Sequence, residues 1–430
     1  MSQPCFLPAH ILLPGRETPT EQWACLACDQ FTSQPEYWQL AERQVGGAPS
    51  ALHLVLPEVY LEQPGVEGRI AAIHAAMRRC REQVLTRAVD GFVYLERTTA
   101  GGAVRPGLLG KVDLEAYDYT PGSLPPVRPS EGTVVQRIPP RLAVRRGACL
   151  ESPHVMMLVD DARDALLGPL AAAKGGLELL YSGPLMLGGG SVRGWAVTDP
   201  ALCRHVLAQL AALGSQEAFD EKYPQAAGRP PMTLAVGDGN HSLATAKAYW
   251  EELKPTLPPA QRAGHPARWC LAEVCNLHSP AIVIEPIHRV VYGADGQRLY
   301  GALRAFLQRR GALCTAQSPG AQVLRIACGQ PAELVLAANS AVHPLAVGTL
   351  EAFLEEFAAQ GGVTVDYVHG EEAVRAVCRK TGAAGVLLPP FAKSDIFKGV
   401  VLGGVLPRKS FSMGQAEDKR YYLECRAIEP

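Results

Sequence analysis

Short apolar runs alternate with amphipathic stretches along most of this chain, and the two periods can be told apart by eye. Period 3.6 predicts helices over residues 35–43, 66–88, 161–173, 200–213 and 297–310, with a further helix after Pro139. Runs of four to eight apolar or alternating residues predict strands over 51–56, 91–98, 107–114, 154–159, 177–181, 194–197, 269–277 and 280–284. The last of these is almost wholly apolar and is expected to be central in a sheet. Alternation of this kind predicts an α/β protein. The proline-rich stretch 121–129 reads as a linker, giving an α/β lobe over 1–125, a core over 126–295 and a C-terminal α/β region over 296–430 that returns to the site.

One segment stands out chemically. The run Leu234 to Val236 reads as a buried strand, Gly237 and Gly239 as the turn, and Ser242 as the cap of a helix running to about Leu253. Backbone N–H groups at such a helix start, together with the helix dipole, favour an anion. Asp238 and His241 sit in the same turn, adding an acid/base group and a hydrogen-bonding ring. An ordinary strand-to-helix turn, with Asp238 as turn former and His241 satisfied by backbone, fits the same spacing.

Composition narrows the function classes. The 430 residues suffice for two or three domains, and 47% hydrophobic content can fill their cores. With 41 basic and 42 acidic residues, the net charge of −1 argues against broad nucleic-acid binding. Apolar stretches stop short of the ~20 residues that a membrane span needs. The first residues lack a basic region ahead of a long apolar core, so the expectation is a soluble, cytoplasmic protein. The twelve cysteines are spread thinly and are expected to be reduced and buried. Cys25 and Cys28 alone have metal or redox spacing, and without a second such pair no metal site is expected; two thiols packed among Trp23, Leu26 and Phe31 fit the pattern better. The glycine triplet 188–190 reads as a hairpin turn.

Four ordered blocks carry a family resemblance. Asp238-Gly-Asn-His-Ser242 resembles the Asp-Gly-His-His-Arg signature of an uncharacterised family that is similar to the ADP-dependent free serine kinases of the ParB/sulfiredoxin-like superfamily. Arg128-Pro-Ser-Glu-Gly-Thr133 with Arg141-Leu142, Glu285-Pro-Ile-His-Arg-Val290, and Gly403-Gly-Val-Leu-Pro-Arg-Lys-Ser-Phe411 resemble the other blocks, supported by 365–369 and 387–390. The resemblance implies a ParB/sulfiredoxin-like catalytic core over 126–295 and a nucleotide-dependent kinase acting on serine or a related small hydroxy compound. It also implies ADP or ATP as cofactor with Mg2+, and an acid/base pair at Glu131 and Asp238. Gly239, Asn240, His241, Ser242, His288, Arg289, Lys409 and Ser410 are then expected to bind substrate or phosphate. The chain departs from the signature where Ser242 replaces its arginine, a natural bidentate phosphate binder, and where Ser130 replaces a histidine. Arg289 and Lys409 are the expected substitutes for the missing charge.

Phosphoryl transfer to a hydroxyl needs charge neutralisation, in-line positioning and a carboxylate near the attacking oxygen. The expected partners are accordingly a small-molecule substrate and a nucleotide, with neither nucleic acid nor membrane. The other reading is a catalytically weak nucleotide- or metabolite-binding regulatory module, favoured by the lost arginine. For single residues, a solvated Glu131, an Arg289 ion pair with Glu285 and a solvated basic turn at Lys409 are the bland alternatives.

Overall fold

The computed structural model describes residues 4–328, 332–390, 392–407, 409–414 and 416–430. The chain forms an α/β protein of two compact units. The first comprises residues 1–129, 133–282 and 415–430, and the second residues 130–132 and 283–414. Arg408, in the last block of the family resemblance, lies outside the described residues.

The first unit is built on a ten-stranded mixed sheet. Its path runs Val127–Pro129, Leu234–Asp238, Val155–Val159, Trp269–Asn276, Val104–Asp113, Arg87–Thr98, Ser191–Val197 and Leu179–Pro184, with Phe6–Leu7 and Ala9–Leu13 added at the middle. The expected break near residue 125 is therefore not a domain boundary. Within Val104–Asp113, residues 108–113 pair antiparallel with residues 269–274 of Trp269–Asn276, so the expected N-terminal lobe and core share one sheet. The proline-rich stretch ends as a strand, Val127–Pro129, parallel to Leu234–Asp238. Val155–Val159 is buried at every position and lies parallel to Trp269–Asn276, which explains its unbroken apolar run.

Several expected elements differ, each for a local reason. Residues 51–54 form a 3-10 turn rather than a strand, because the Ser50 hydroxyl accepts from the Leu52 N–H and starts a helical turn. The long helix stops at Gln83, since Arg87 already begins the strand pairing with Ala9–Leu13. The helix expected over 161–173 survives only as Gly168–Ala173; the Asp161 carboxylate accepts from the Leu166 N–H and holds the preceding residues in a turn. Residues 280–283 are turn and loop, and the strand begins at Ile284. The helices Pro35–Val45, Ile138–Arg145, Pro200–Leu213 and Gly296–Arg309 follow their apolar faces as expected.

The second unit holds a seven-stranded sheet in the order Leu313–Cys314, Leu334–Ala338, Gln322–Ala327, Ala384–Leu387, Ile284–Tyr292 and Thr364–His369, with Phe411–Met413 also paired to Ile284–Tyr292. Helices Gly296–Arg309, Ala346–Ala358, Glu371–Thr381 and Lys393–Gly403 complete it.

A buried ionic knot fastens the C-terminal segment into the first unit. Glu273 has no solvent exposure and accepts from Arg420 Nη1 at 2.5 Å. Arg420 also donates to Glu424 at 2.6 Å and to the Pro153 carbonyl at 3.1 Å. Arg97 and Arg105 hold the backbone just before it, donating to the carbonyls of Glu417, Asp418 and Lys419. Residue 107 must be glycine, because a Cβ there would sit 2.3 Å from Glu273 Oε1. Burial alone would favour a neutral Glu273, yet Arg420 and Arg105 hold its carboxyl below the usual range. Removing one partner of a buried pair strands the other charge, which costs about 3–5 kcal/mol. Glu273→Ala is therefore expected to destabilise the first unit by that amount in a urea titration, and a loss below ~1 kcal/mol would show that the knot contributes little.

Candidate functional site

In the first unit the Asp238 turn forms as a strand, a bulge and a helix start. Pairing with Val155–Val159 shifts register between Val236 and Asp238, so Gly237 is the bulge that turns the Asp238 carboxylate. Gly239, with φ of +77°, is the N-cap of the helix Asn240–Leu253. Ser242 is thus inside the helix and does not cap it, contrary to the sequence expectation; the left-handed backbone demanded glycine at the cap itself. A Cβ on Gly239 would also meet His154 Cδ2 at 2.6 Å.

Asp238 Oδ1 accepts from the Gly239 N–H at 3.0 Å, and Oδ2 lies 3.5 Å from Lys419 Nζ. Lys419 is a site residue that sequence reasoning missed, because its only signal is a C-terminal return from 181 positions away in sequence. Asn240 and His241 use their side chains differently from expected. Asn240 Nδ2 donates to Thr133 Oγ1 at 3.2 Å, and the Tyr117 hydroxyl donates to Asn240 Oδ1 at 3.4 Å. The Val134 N–H donates to His241 Nε2 at 3.2 Å, which places the ring proton on Nδ1. Both side chains thus fix the residues that follow Glu131 in the sequence.

Behind the turn lies a cavity of about 150 Å³, lined by Leu54, Leu56, Met77, Val144, Leu150 and other apolar groups together with Cys28, His154, Ser242 and Tyr422. Ser242 therefore forms part of this wall. His154 Nε2 lies 3.1 Å from Asp29 Oδ2, and its Nδ1 faces the Tyr422 hydroxyl and, at 3.9 Å, Cys28 Sγ. Burial works against a charged His154, but the Asp29 carboxylate raises the imidazole well above its ordinary value. Burial likewise opposes ionisation of Asp29, yet the His154 charge, its hydrogen bond and Lys419 hold the carboxyl well below the carboxylate range. Cys28 is half-buried rather than buried, which corrects the expectation for the Cys25–Cys28 pair.

The second unit gathers Glu131, Arg289, Lys409 and Ser410. Glu131 makes a bridge with Leu406, and its two oxygens accept from the N–H groups of Lys409 at 3.3 Å and Ser410 at 3.1 Å. Lys409 has φ of +55°, so the two consecutive N–H groups form a concave donor pair filled by the carboxylate. The Ser410 hydroxyl donates to the Pro407 carbonyl at 2.5 Å, and Lys409 Nζ lies 4.9 Å from the Tyr367 ring centre.

His288 and Arg289 lie inside the strand Ile284–Tyr292 rather than at its end, and both are buried. Arg289 pairs with Glu351 at 2.6 Å, donates to the carbonyls of Ile287 and Lys409, and stacks on Tyr367; Glu285 pairs instead with His369. Arg289 is thus a clamp on Lys409 rather than a free substitute for the motif arginine. His288 Nδ1 accepts from the Leu388 N–H at 3.1 Å. Burial first, then Arg325 and Arg289, push its pKa down to about 4 against the pull of Glu371, so the ring is neutral at pH 7. Among the described residues no group of three or more His, Cys, Asp or Glu side chains is placed to hold a metal, and no helix is long and apolar enough to cross a membrane.

Two outcomes follow. An unfolded histidine takes a proton near pH 6.5, whereas folded His288 does so only near 4; the folded state binds fewer protons in between, so stability is lost as pH falls from 6.5 to 4. Melting temperature against pH should show this loss, and His288→Asn should flatten it. Gly239→Ala should destabilise by roughly 1–3 kcal/mol through its positive φ and the clash with His154, measured by thermal melting.

No curated protein matches the chain. A free serine kinase in complex with ADP aligns at a TM-score of 0.38 and 10% identity, over 74% of this chain and 91% of that one. A conserved hypothetical protein from Pyrococcus furiosus aligns at 0.35 and 9%, over 74% and 94%. A C-terminally truncated SbnI from Staphylococcus aureus aligns at 0.35 and 12%, over 74% and 87%. These likenesses are remote. Residues 12–383 match the family described as protein of unknown function (DUF1015), and the chain belongs to that family.

Proposed function

We propose that this protein is a nucleotide-dependent phosphotransferase that moves a phosphoryl group from ADP or ATP to the hydroxyl of serine or a related small hydroxy compound. The observation that carries this reading is Lys419 beside Asp238 at the start of the helix Asn240–Leu253. A helix start presents N–H groups and a positive dipole to an anion. A lysine ammonium adds the fixed charge that Ser242 does not, though as a point charge rather than a bidentate fork. Mg2+ would be carried mainly by phosphate oxygens, since it usually takes few protein ligands. Asp238 would orient the hydroxyl. Glu131 would serve as general base, its carboxylate held in a single orientation by the Lys409 and Ser410 N–H groups.

A catalytically weak binding module is favoured by one observation: Ser242 faces the apolar cavity, leaving the turn one cation poorer than the family signature. Both readings require nucleotide binding, and they part on turnover.

Titration calorimetry with ADP, ATP and CTP in the presence of Mg2+ is expected to show modest, salt-sensitive binding that weakens in Lys419→Met. Absence of binding for all three nucleotides would overturn both readings. Mass spectrometry of serine and small hydroxy acids incubated with the binding nucleotide is expected to show phosphorylated product. Glu131→Gln should keep binding and lose roughly 10²–10⁴ in rate; an unchanged rate would remove Glu131 as the base.

A further inference from the structure

Cys28, Tyr422, His154 and Asp29 form a chain of polar side chains with one end in an apolar cavity. Cys28 Sγ accepts from the Tyr422 hydroxyl at 3.2 Å, and that hydroxyl is hydrogen-bonded to His154 Nδ1. His154 Nε2 in turn faces Asp29 at 3.1 Å. A thiol aligned on an imidazole whose far nitrogen is held by a carboxylate is the arrangement of an activated sulfur nucleophile. The loop beyond the cavity is tied to the same residue, because the Glu58 N–H donates to the Cys28 carbonyl at 2.8 Å.

The cavity shows which group the sulfur would meet. Its roughly 150 Å³ are walled by Leu54, Leu56, Leu61, Met77, Val144 and Leu150. An apolar cavity of ~150 Å³ in another protein admits benzene, a six-carbon ligand. One side of the wall is polar, formed by the ion pairs of Arg141 with Glu58 and of Arg145 with Glu151, the latter at 2.7 Å.

We propose that Cys28 is a nucleophile that takes a short acyl group of about six carbons from a thioester, with the chain in this cavity and Asp29, His154 and Tyr422 holding the thiol proton. The Cys28 sulfur adds to the thioester carbonyl, forming a new carbon–sulfur bond. The original carbon–sulfur bond breaks, and the displaced thiolate takes the proton that Tyr422 relays from His154. The product is an S-acyl Cys28 and a free thiol, with no oxidant or reductant involved. This inference does not rest on the phosphotransferase reading, though Ser242 and Lys419 border both sites, and its residues all belong to the first unit.

The test is incubation of the full chain with the N-acetylcysteamine thioesters of acetate, hexanoate and dodecanoate, followed by peptide mass spectrometry at every cysteine. Acylation is expected at Cys28 ahead of Cys203, Cys314 and Cys328, the other partly exposed thiols, and fastest with the hexanoyl group. His154→Gln should slow it by roughly 10²-fold, the lower range for a positioned proton-transfer group. His154 also supports Gly239, so if that variant fails to fold, the chain-length series on the unaltered protein decides. No acyl group on Cys28, a rate no faster than at the other three thiols, or a rate indifferent to chain length would overturn the proposal. Nucleotide binding or its failure leaves this outcome unaffected.

Discussion

Glu273 is the buried charge around which the C-terminal segment of the first unit is fastened. A carboxylate with no solvent exposure is tolerable only when its charge is met, and Arg420 meets it from the far end of the chain. Arg97 and Arg105 clamp the carbonyls of residues 417–419 in the same stretch. The segment so fixed carries Lys419 to Asp238 and Tyr422 to Cys28 and His154. One knot therefore positions residues of both proposed sites, and weakening it would loosen both segments at once.

The same dependence explains what could be read from the sequence. Local devices were legible: the apolar run before Asp238, the two glycines of its turn and the end of the helix at Leu253 all form as expected, because each is decided within a few residues. Placement of the N-cap failed by three residues, since a left-handed backbone at Gly239 outranks a hydroxyl at Ser242. The strand expected over 280–284 failed because an apolar run of that length does not distinguish a strand from a buried turn.

What no local pattern carried was the pairing between positions 85 to 181 residues apart. Lys419 looks like one more charge in a polar tail, and His154 like the first residue of a strand, until the ionic knot brings the first, and the strand Val155–Val159 the second, beside the turn. Arg289 shows the reverse error. Its motif neighbourhood suggests a ligand-binding charge, while full burial, the Glu351 ion pair and the Tyr367 ring bind it to its own unit. A buried arginine with its partner in place is bought at a desolvation cost that only its fixed geometry offsets, so it makes a good clamp and a poor substitute for a mobile phosphate ligand.

If Lys419 stands in for the arginine that the family signature has at position 242, as the proposed function holds, an anion at the turn would be held differently. A guanidinium fork fixes two phosphate oxygens in one plane, whereas an ammonium on a flexible stem fixes only distance. Orientation must then come from the backbone, and the left-handed Gly239 with the rigid helix behind it can provide that. Asn240 and His241 reinforce this rigidity by tying the turn to Thr133 and Val134. In the proposed site the Asn240 and His241 side chains serve the scaffold, and holding an anion would fall to main-chain groups and to Lys419, delivered from the other end of the sequence.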